Sequence, residues 1–179
     1  MSNHYEFTST LKAVWNKSVQ LYNDGNQDCE TYYNKQEKAF LDSIGHSARE
    51  VWDFVDDSIR YGDPDYETFL LLASLRRTYF LNVMKGAKSD VIIDTVDLTP
   101  KSEAVAGITW LPRIIEKARA KLRGEMSDDL MYCCGGDREF CKTHNLHPSD
   151  FLAFVMDHFD DDEAIIDFVL SRSKTASQS

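Results

Sequence analysis

The chain has 179 residues and a formal net charge of −10, with 42% hydrophobic and 28% charged residues. That length suits one sizeable core or two small ones, and the acidic surplus argues against bulk binding to nucleic acid or an anionic membrane. No apolar run approaches the ~18 residues of a membrane helix, the first residues show no signal peptide, and four sparse cysteines read as free thiols in a reducing cytoplasm.

Helix signals dominate the first half. Leu11, Val14, Trp15, Val19 and Tyr22 recur at helical spacing, and Gly25 offers a stop. Asn34 to Glu37 reads as a capping box for a short helix ending at Gly45. Ser47 to Glu50 reads as a second, cleaner box, opening a helix with Val51, Phe54, Val55 and Ile59 inward and an end near Gly62. Asp63-Pro64 then predicts another start, Asp63 capping and Pro64 sitting where its missing N–H costs nothing. The helix that follows runs towards Gly86. Its apolar residues, from Phe69 to Met84, lie on most faces, which predicts a central position at an interface between two units.

Residues 87–107 break the pattern. Val91 to Leu98 is β-branched and semi-alternating, a pattern open to a short strand, but the expectation is an extended connector draped over the core. Trp110-Leu111-Pro112-Arg113 opens the second half, with Leu111, Ile114, Ile115, Ala118 and Leu122 on one stripe and a stop at Gly124. Cys133 to Asp137 reads as a turn before a short helix through Phe140 that ends near Asn145. Pro148 starts the next helix, with Phe151, Leu152, Phe154 and Val155 inward. The acidic run Asp160 to Glu163 suits a helix start, completed by Ile165, Ile166, Val169 and Leu170. A polar tail, expected to be mobile, covers residues 173–179.

A shift of 100 residues lays the second half on the first. It pairs Leu11 with Leu111, Lys17 with Lys117, Tyr32 with Tyr132, Phe40 with Phe140, Val55 with Val155 and Asp57 with Asp157. The matches fall mostly at apolar positions, as an internal repeat with one packing plan predicts. The expected fold is therefore all-α. Two similar units of about four helices, residues 1–86 and 108–172, pack together and are joined by the extended linker.

The helix Trp110-Leu111-Pro112-Arg113-Ile114-Ile115-Glu116-Lys117-Ala118-Arg119-Ala120, followed by Tyr132, Cys134, Asp137 and Phe140, resembles the signature of an uncharacterised bacterial family of small helical proteins. The resemblance covers roughly residues 98–172. A first unit containing Gly62 to Glu67 and Arg76 to Phe80 resembles a subgroup of that family. It is a domain of unknown function, so the resemblance implies a small helical cytoplasmic protein and no reaction. His144, Cys133 and Cys141 fall outside the motif.

Four constellations could carry chemistry. Cys133, Cys134, Cys141, His144 and His147 supply zinc-type ligands, but their spacing fits no standard motif, and buried thiols with surface histidines are the plainer expectation. On the basic helix, Arg113, Lys117 and Lys121 share one face and Arg119 and Arg123 another. With Trp110 they could grip an anion, although a solvated face, or pairing with the acidic surplus of the chain, is the commoner use of such a stripe. Arg76 and Arg77 interrupt an apolar helix and need solvent or a carboxylate; Asp53, Asp56 and Asp57 are candidates. Tyr132, Cys134 and Asp137 could present a thiol nucleophile at a helix start, against the plainer expectation that Asp137 caps. No phosphate loop, dinucleotide fingerprint, hydrolase elbow or metalloprotease helix appears, and no cofactor or metal is expected.

Arg76, Arg77, Trp110, Arg113, Lys117, Tyr132, Cys134 and Asp137 are thus the candidate polar pocket. The function expected is a cytosolic binding or scaffold module that takes a small anionic ligand or a protein partner in a cleft between its units. The alternative is an enzyme acting on a small anionic substrate through Arg, Tyr and Cys side chains.

Overall fold

The computed structural model describes residues 4–176 and divides into two compact units, Met1–Lys88 and Ser89–Ser179. The protein is predominantly all-α. Among the described residues there are eight α-helices, and the two paired strands are two residues each.

The first unit holds α1 (Phe7–Asn23), α2 (Lys35–Ser43), α3 (Ala48–Tyr61) and α4 (Tyr66–Asn82). Helix α1 buries Leu11, Val14 and Trp15 and packs on α3 and α4. The Asn34 box is complete: its side chain accepts from Gln36 N and Glu37 N, and Glu37 accepts from Asn34 N at 2.8 Å. At Ser47 one arm forms, with Glu50 N donating to Oγ at 3.1 Å, while the Glu50 carboxylate meets Nδ1 of buried His46 at 2.6 Å. Gly45 follows α2 with φ +75°. A Cβ there would lie 2.8 Å from the Phe80 ring and 3.0 Å from the Arg76 guanidinium, so both the conformation and the close approach require glycine.

Three expectations for this unit are corrected. Asp65, not Asp63, caps α4, accepting from Thr68 N at 2.8 Å, so Pro64 precedes the helix. Ile59 is 38% exposed, because the α3 core stripe closes at Val55. The leucine-rich α4 buries one stripe, Phe69, Leu72, Ala73, Arg76, Tyr79 and Phe80, and leaves Leu71 exposed, as is Val83 just after it. Phe69 anchors the core, 5.1 Å from both the Trp15 and Phe54 rings.

The second unit begins with residues read as a linker, and they are more than that. Ile93 N donates to Glu125 O at 2.6 Å, Ser127 N donates to Ile93 O at 3.0 Å, and a 3-10 turn (Thr95–Asp97) follows. A hairpin pairs β1 (Ala104–Val105) with β2 (Ile108–Thr109) and packs on the next helix. Helices α5 (Leu111–Arg123), α6 (Gly135–Thr143), α7 (Pro148–Asp157) and α8 (Asp162–Ala176) complete the unit. Helix α6 starts inside the stretch read as a turn, and Cys134 is its N-cap residue. Asp161 caps α8 by accepting from Ala164 N at 3.0 Å. Helix α8 runs on through residue 173, where the polar tail was expected to begin, and reaches Ala176; residues 177–179 lie outside the described residues. No helix among the described residues is long and apolar enough to cross a membrane.

One helix of each unit keeps the 100-residue shift at both ends, while the other helices depart from it by up to six residues at one end or both. Lys35–Ser43 and Gly135–Thr143 are 100 residues apart at both ends. Leu11 and Leu111, Tyr32 and Tyr132, and Val55 and Val155 are buried in both. Gly45 and Asn145, each following its short helix, both take positive φ.

Candidate functional site

Helix α5 carries the site. By sequence it is amphipathic; in the structure nine of its 13 residues are buried, including Arg113, Lys117 and Lys121. The stripe expected to be solvated therefore lies inside. The segment before the hairpin meets Arg113, and the start of α6 meets Lys117. Arg113 Nη1 donates to Thr99 O at 2.8 Å, and Glu116 accepts from Thr99 N at 2.7 Å and Thr99 Oγ1 at 2.6 Å.

Asp137 is the centre of a buried cluster. It is the third residue of α6 and fully buried. One carboxylate oxygen accepts from Trp110 Nε1 at 3.0 Å; the other accepts from Cys133 N at 2.9 Å and is ion-paired with Lys117. Lys117 Nζ also donates to Cys134 Sγ at 3.1 Å. Arg138 Nη1 donates to Cys133 O at 2.7 Å, closing the turn. Trp110 (φ +73°) and Cys133 (φ +72°) both hold left-handed backbone, unusual for residues with a Cβ and sustained only where surrounding contacts fix it. Gly136 lies beneath the indole: a Cβ on it would sit 2.5 Å from Trp110 Cζ2.

Burial shapes the titration here. Lys121 is pulled down to about 7 by desolvation. The Tyr132 hydroxyl is held well above its ordinary range by burial and donates to Pro148 O at 2.8 Å. Burial pushes the Cys141 thiol up to about 12, with Asp137 adding to it.

Of the eight candidate residues, Trp110, Lys117, Cys134 and Asp137 meet directly. The Arg113 guanidinium lies 5.9 Å from the Trp110 ring centre, and its own donors go to backbone carbonyls. Arg76 and Arg77 belong to the first unit. Arg76 is buried, donates to Met84 Sδ at 3.5 Å and lies 5.1 Å from the Phe80 ring centre. Arg77 lies 4.7 Å from the Phe7 ring centre, with Nη2 3.0 Å from His4 Nδ1. The Cys/His residues disperse: His147 caps α7, His144 meets Ser173 Oγ at 2.7 Å, and Cys133 and Cys141 are buried thiols. Among the described residues no three His, Cys, Asp or Glu side chains gather at metal-binding spacing.

The other basic stripe faces an open pocket of about 500 Å³, lined by Ile93, Glu116, Arg119, Arg123, Glu125, Phe159, Asp160 and Asp162. Arg119 and Arg123 lie 5.7 and 4.7 Å from the Phe159 ring centre. Arg119 donates to Phe159 O at 2.8 Å and pairs with Asp162 at 2.5 Å. Three of the four carboxylates are engaged locally: Glu116 by Thr99, Glu125 by Ser89 Oγ at 2.6 Å, and Asp162 by Arg119. Sequence reasoning placed Arg119 and Arg123 on one face but missed Phe159 and Asp160. They follow α7 by sequence and reach α5 only through the fold.

No curated protein and no solved structure matches the chain. Residues 97–179, the stretch that holds the hairpin, the whole Asp137 cluster and helices α5 to α8, match the model of a family described as Domain of unknown function (DUF5069).

Proposed function

We propose that the Ser89–Ser179 unit is a binding module for a small ligand bearing a carboxylate or phosphate group. The observation that carries this reading is the pair Arg119 and Arg123, one helical turn apart and both set over Phe159 in an open pocket. Planar guanidinium groups suit carboxylate and phosphate, and an aromatic floor excludes water beneath them. Asp160 adds a carboxylate at the rim for a ligand that also carries an amine. A binding role is favoured over catalysis because the Asp137 carboxylate and the Tyr132 hydroxyl are spent on internal partners. Cys29, Cys133 and Cys141, all buried and none in a disulfide, support a reducing, cytoplasmic setting.

Isothermal titration with inorganic phosphate, citrate and glutamate tests the reading. At least one should bind saturably, and Arg123→Gln should weaken it about tenfold, the effect of one lost charge-assisted contact. Absence of saturable heat with all three, or equal binding by the variant, removes the proposal.

The reading extends to architecture: the two halves are copies of one four-helix plan. Supporting it are the shared 100-residue spacing of α2 and α6 and the ion pairs Lys17–Glu37 and Lys117–Asp137, which stand at the same shift. An experimental structure in which residues 7–82 and 107–176 fail to superimpose would remove it.

A further inference from the structure

The geometry points to Cys134 and Lys117 as a peroxide-driven covalent modification site, in which an S–N bond joins helix α5 to the start of α6. This inference is independent of the ligand pocket. Its basis is the contact of Lys117 Nζ with Cys134 Sγ at 3.1 Å, with the Asp137 carboxylate on the same ammonium. Cys29, Cys133 and Cys141 are buried, whereas Cys134 is partly exposed, so it is the thiol a small oxidant reaches. Lys117 itself is 2% exposed and cannot swing away to solvent without breaking its buried pair.

The chemistry balances in two steps. Hydrogen peroxide first oxidises the thiol: the sulfur attacks one peroxide oxygen, the O–O bond breaks, water leaves, and Cys134 becomes a sulfenic acid. Sulfur loses two electrons and the peroxide gains them. The Lys117 ammonium then gives a proton to Asp137, and the freed nitrogen pair attacks sulfur. The S–O bond breaks, and hydroxide leaves as water with a second proton from nitrogen. No further oxidant is consumed. The product is a sulfenamide with one hydrogen on nitrogen, beside a neutral Asp137, so the buried ion pair becomes uncharged. Sulfenic acids condense with backbone nitrogen in the same way, and a lysine at hydrogen-bond distance is a stronger nucleophile once deprotonated. An added dithiol reverses the bond by attacking sulfur and releasing the amine.

Mass spectrometry of the full chain after a hydrogen peroxide pulse tests the proposal. The expected product is lighter than the reduced protein by two hydrogens and returns to the starting mass with dithiothreitol. Tryptic mapping should show a peptide joining Lys117 to Cys134, with cleavage after Lys117 lost. Lys117→Arg should abolish this product and let Cys134 proceed to the sulfinic acid, heavier by two oxygens. Should that variant fail to fold, Cys134→Ser must abolish the product on its own. A two-hydrogen loss that maps to a disulfide overturns the proposal, and so does oxygen addition at Cys134 with Lys117 still cleavable, or no reaction at all.

Discussion

Lys17–Glu37 and Lys117–Asp137 are the same pairing in two environments. Each joins a lysine of a long helix to the carboxylate at the third position of a short one. The first pair is 36% and 25% exposed, the second 3% and 0%. A surface pair is worth little because water screens it, whereas breaking a buried pair strands a charge out of water. Asp137→Ala should therefore lower stability by about 3–5 kcal/mol in urea denaturation. Glu37→Ala should cost about 1–2 kcal/mol, mostly from the lost arm of its capping box. Lys121 makes a separate, pH-dependent prediction. Its folded value near 7 lies below the ~10.4 of an exposed lysine, so between those values the unfolded chain binds the extra proton. Stability from this group thus rises with pH above about 7, by up to about 1.4 kcal/mol per pH unit, and below 7 the full penalty applies. Lys121→Met should stabilise the protein at pH 7 and flatten the pH 7–10 stability profile relative to wild type, as read by denaturation at each pH.

At the scale of elements, caps and close approaches decide where helices begin. Helix α6 opens with two glycines that differ in what surrounds them. A Cβ on Gly136 would meet the Trp110 ring at 2.5 Å, whereas on Gly135 the nearest atom is the Arg138 guanidinium at 3.9 Å. Gly136→Ala should cost about 1–3 kcal/mol by overpacking and should displace the indole; Gly135→Ala should be close to neutral or mildly stabilising. Comparing melting temperatures and tryptophan fluorescence of the two variants checks this. For α4, Asp65→Ala should cost about 1 kcal/mol of stability, the usual loss of an N-cap acceptor, read by urea denaturation. The Asp63-Pro64 pair looked like the stronger start signal, yet a proline can stand before a helix as easily as at its first position, and only the observed hydrogen bond distinguishes them.

Across the whole molecule, each unit has its own buried centre: Leu11, Val51, Phe54 and Phe69 in one, Leu111, Ile114, Phe151 and Val155 in the other. Residues 89–110 go with the second centre through the Ile93 hydrogen bonds and the hairpin on α5. Units of this size bury enough surface to fold alone. Expressed separately, residues 89–179 should show helical circular dichroism and a single cooperative melt, whereas a piece starting at residue 108 should melt lower or fail to fold, because it uncovers Arg113 and Glu116.

Helix order, most helix ends and the apolar stripes were legible in the sequence because they are local: caps, glycine stops and 3.6-residue spacing act within one or two turns. The motif from Trp110 to Asp137 likewise flagged the residues that meet around the buried carboxylate. The tertiary structure decided which side of each helix is covered. Lys117 and Lys121 read as surface charges on an amphipathic helix, but both are buried, and Lys117 meets Cys134 and Asp137, 17 and 20 residues later in the chain; Leu71 read as core and is 49% exposed. Periodicity states that a helix has faces. Whether a polar face meets water or protein depends on contacts distant in sequence, and those contacts turned a lysine, a carboxylate and a thiol into neighbours.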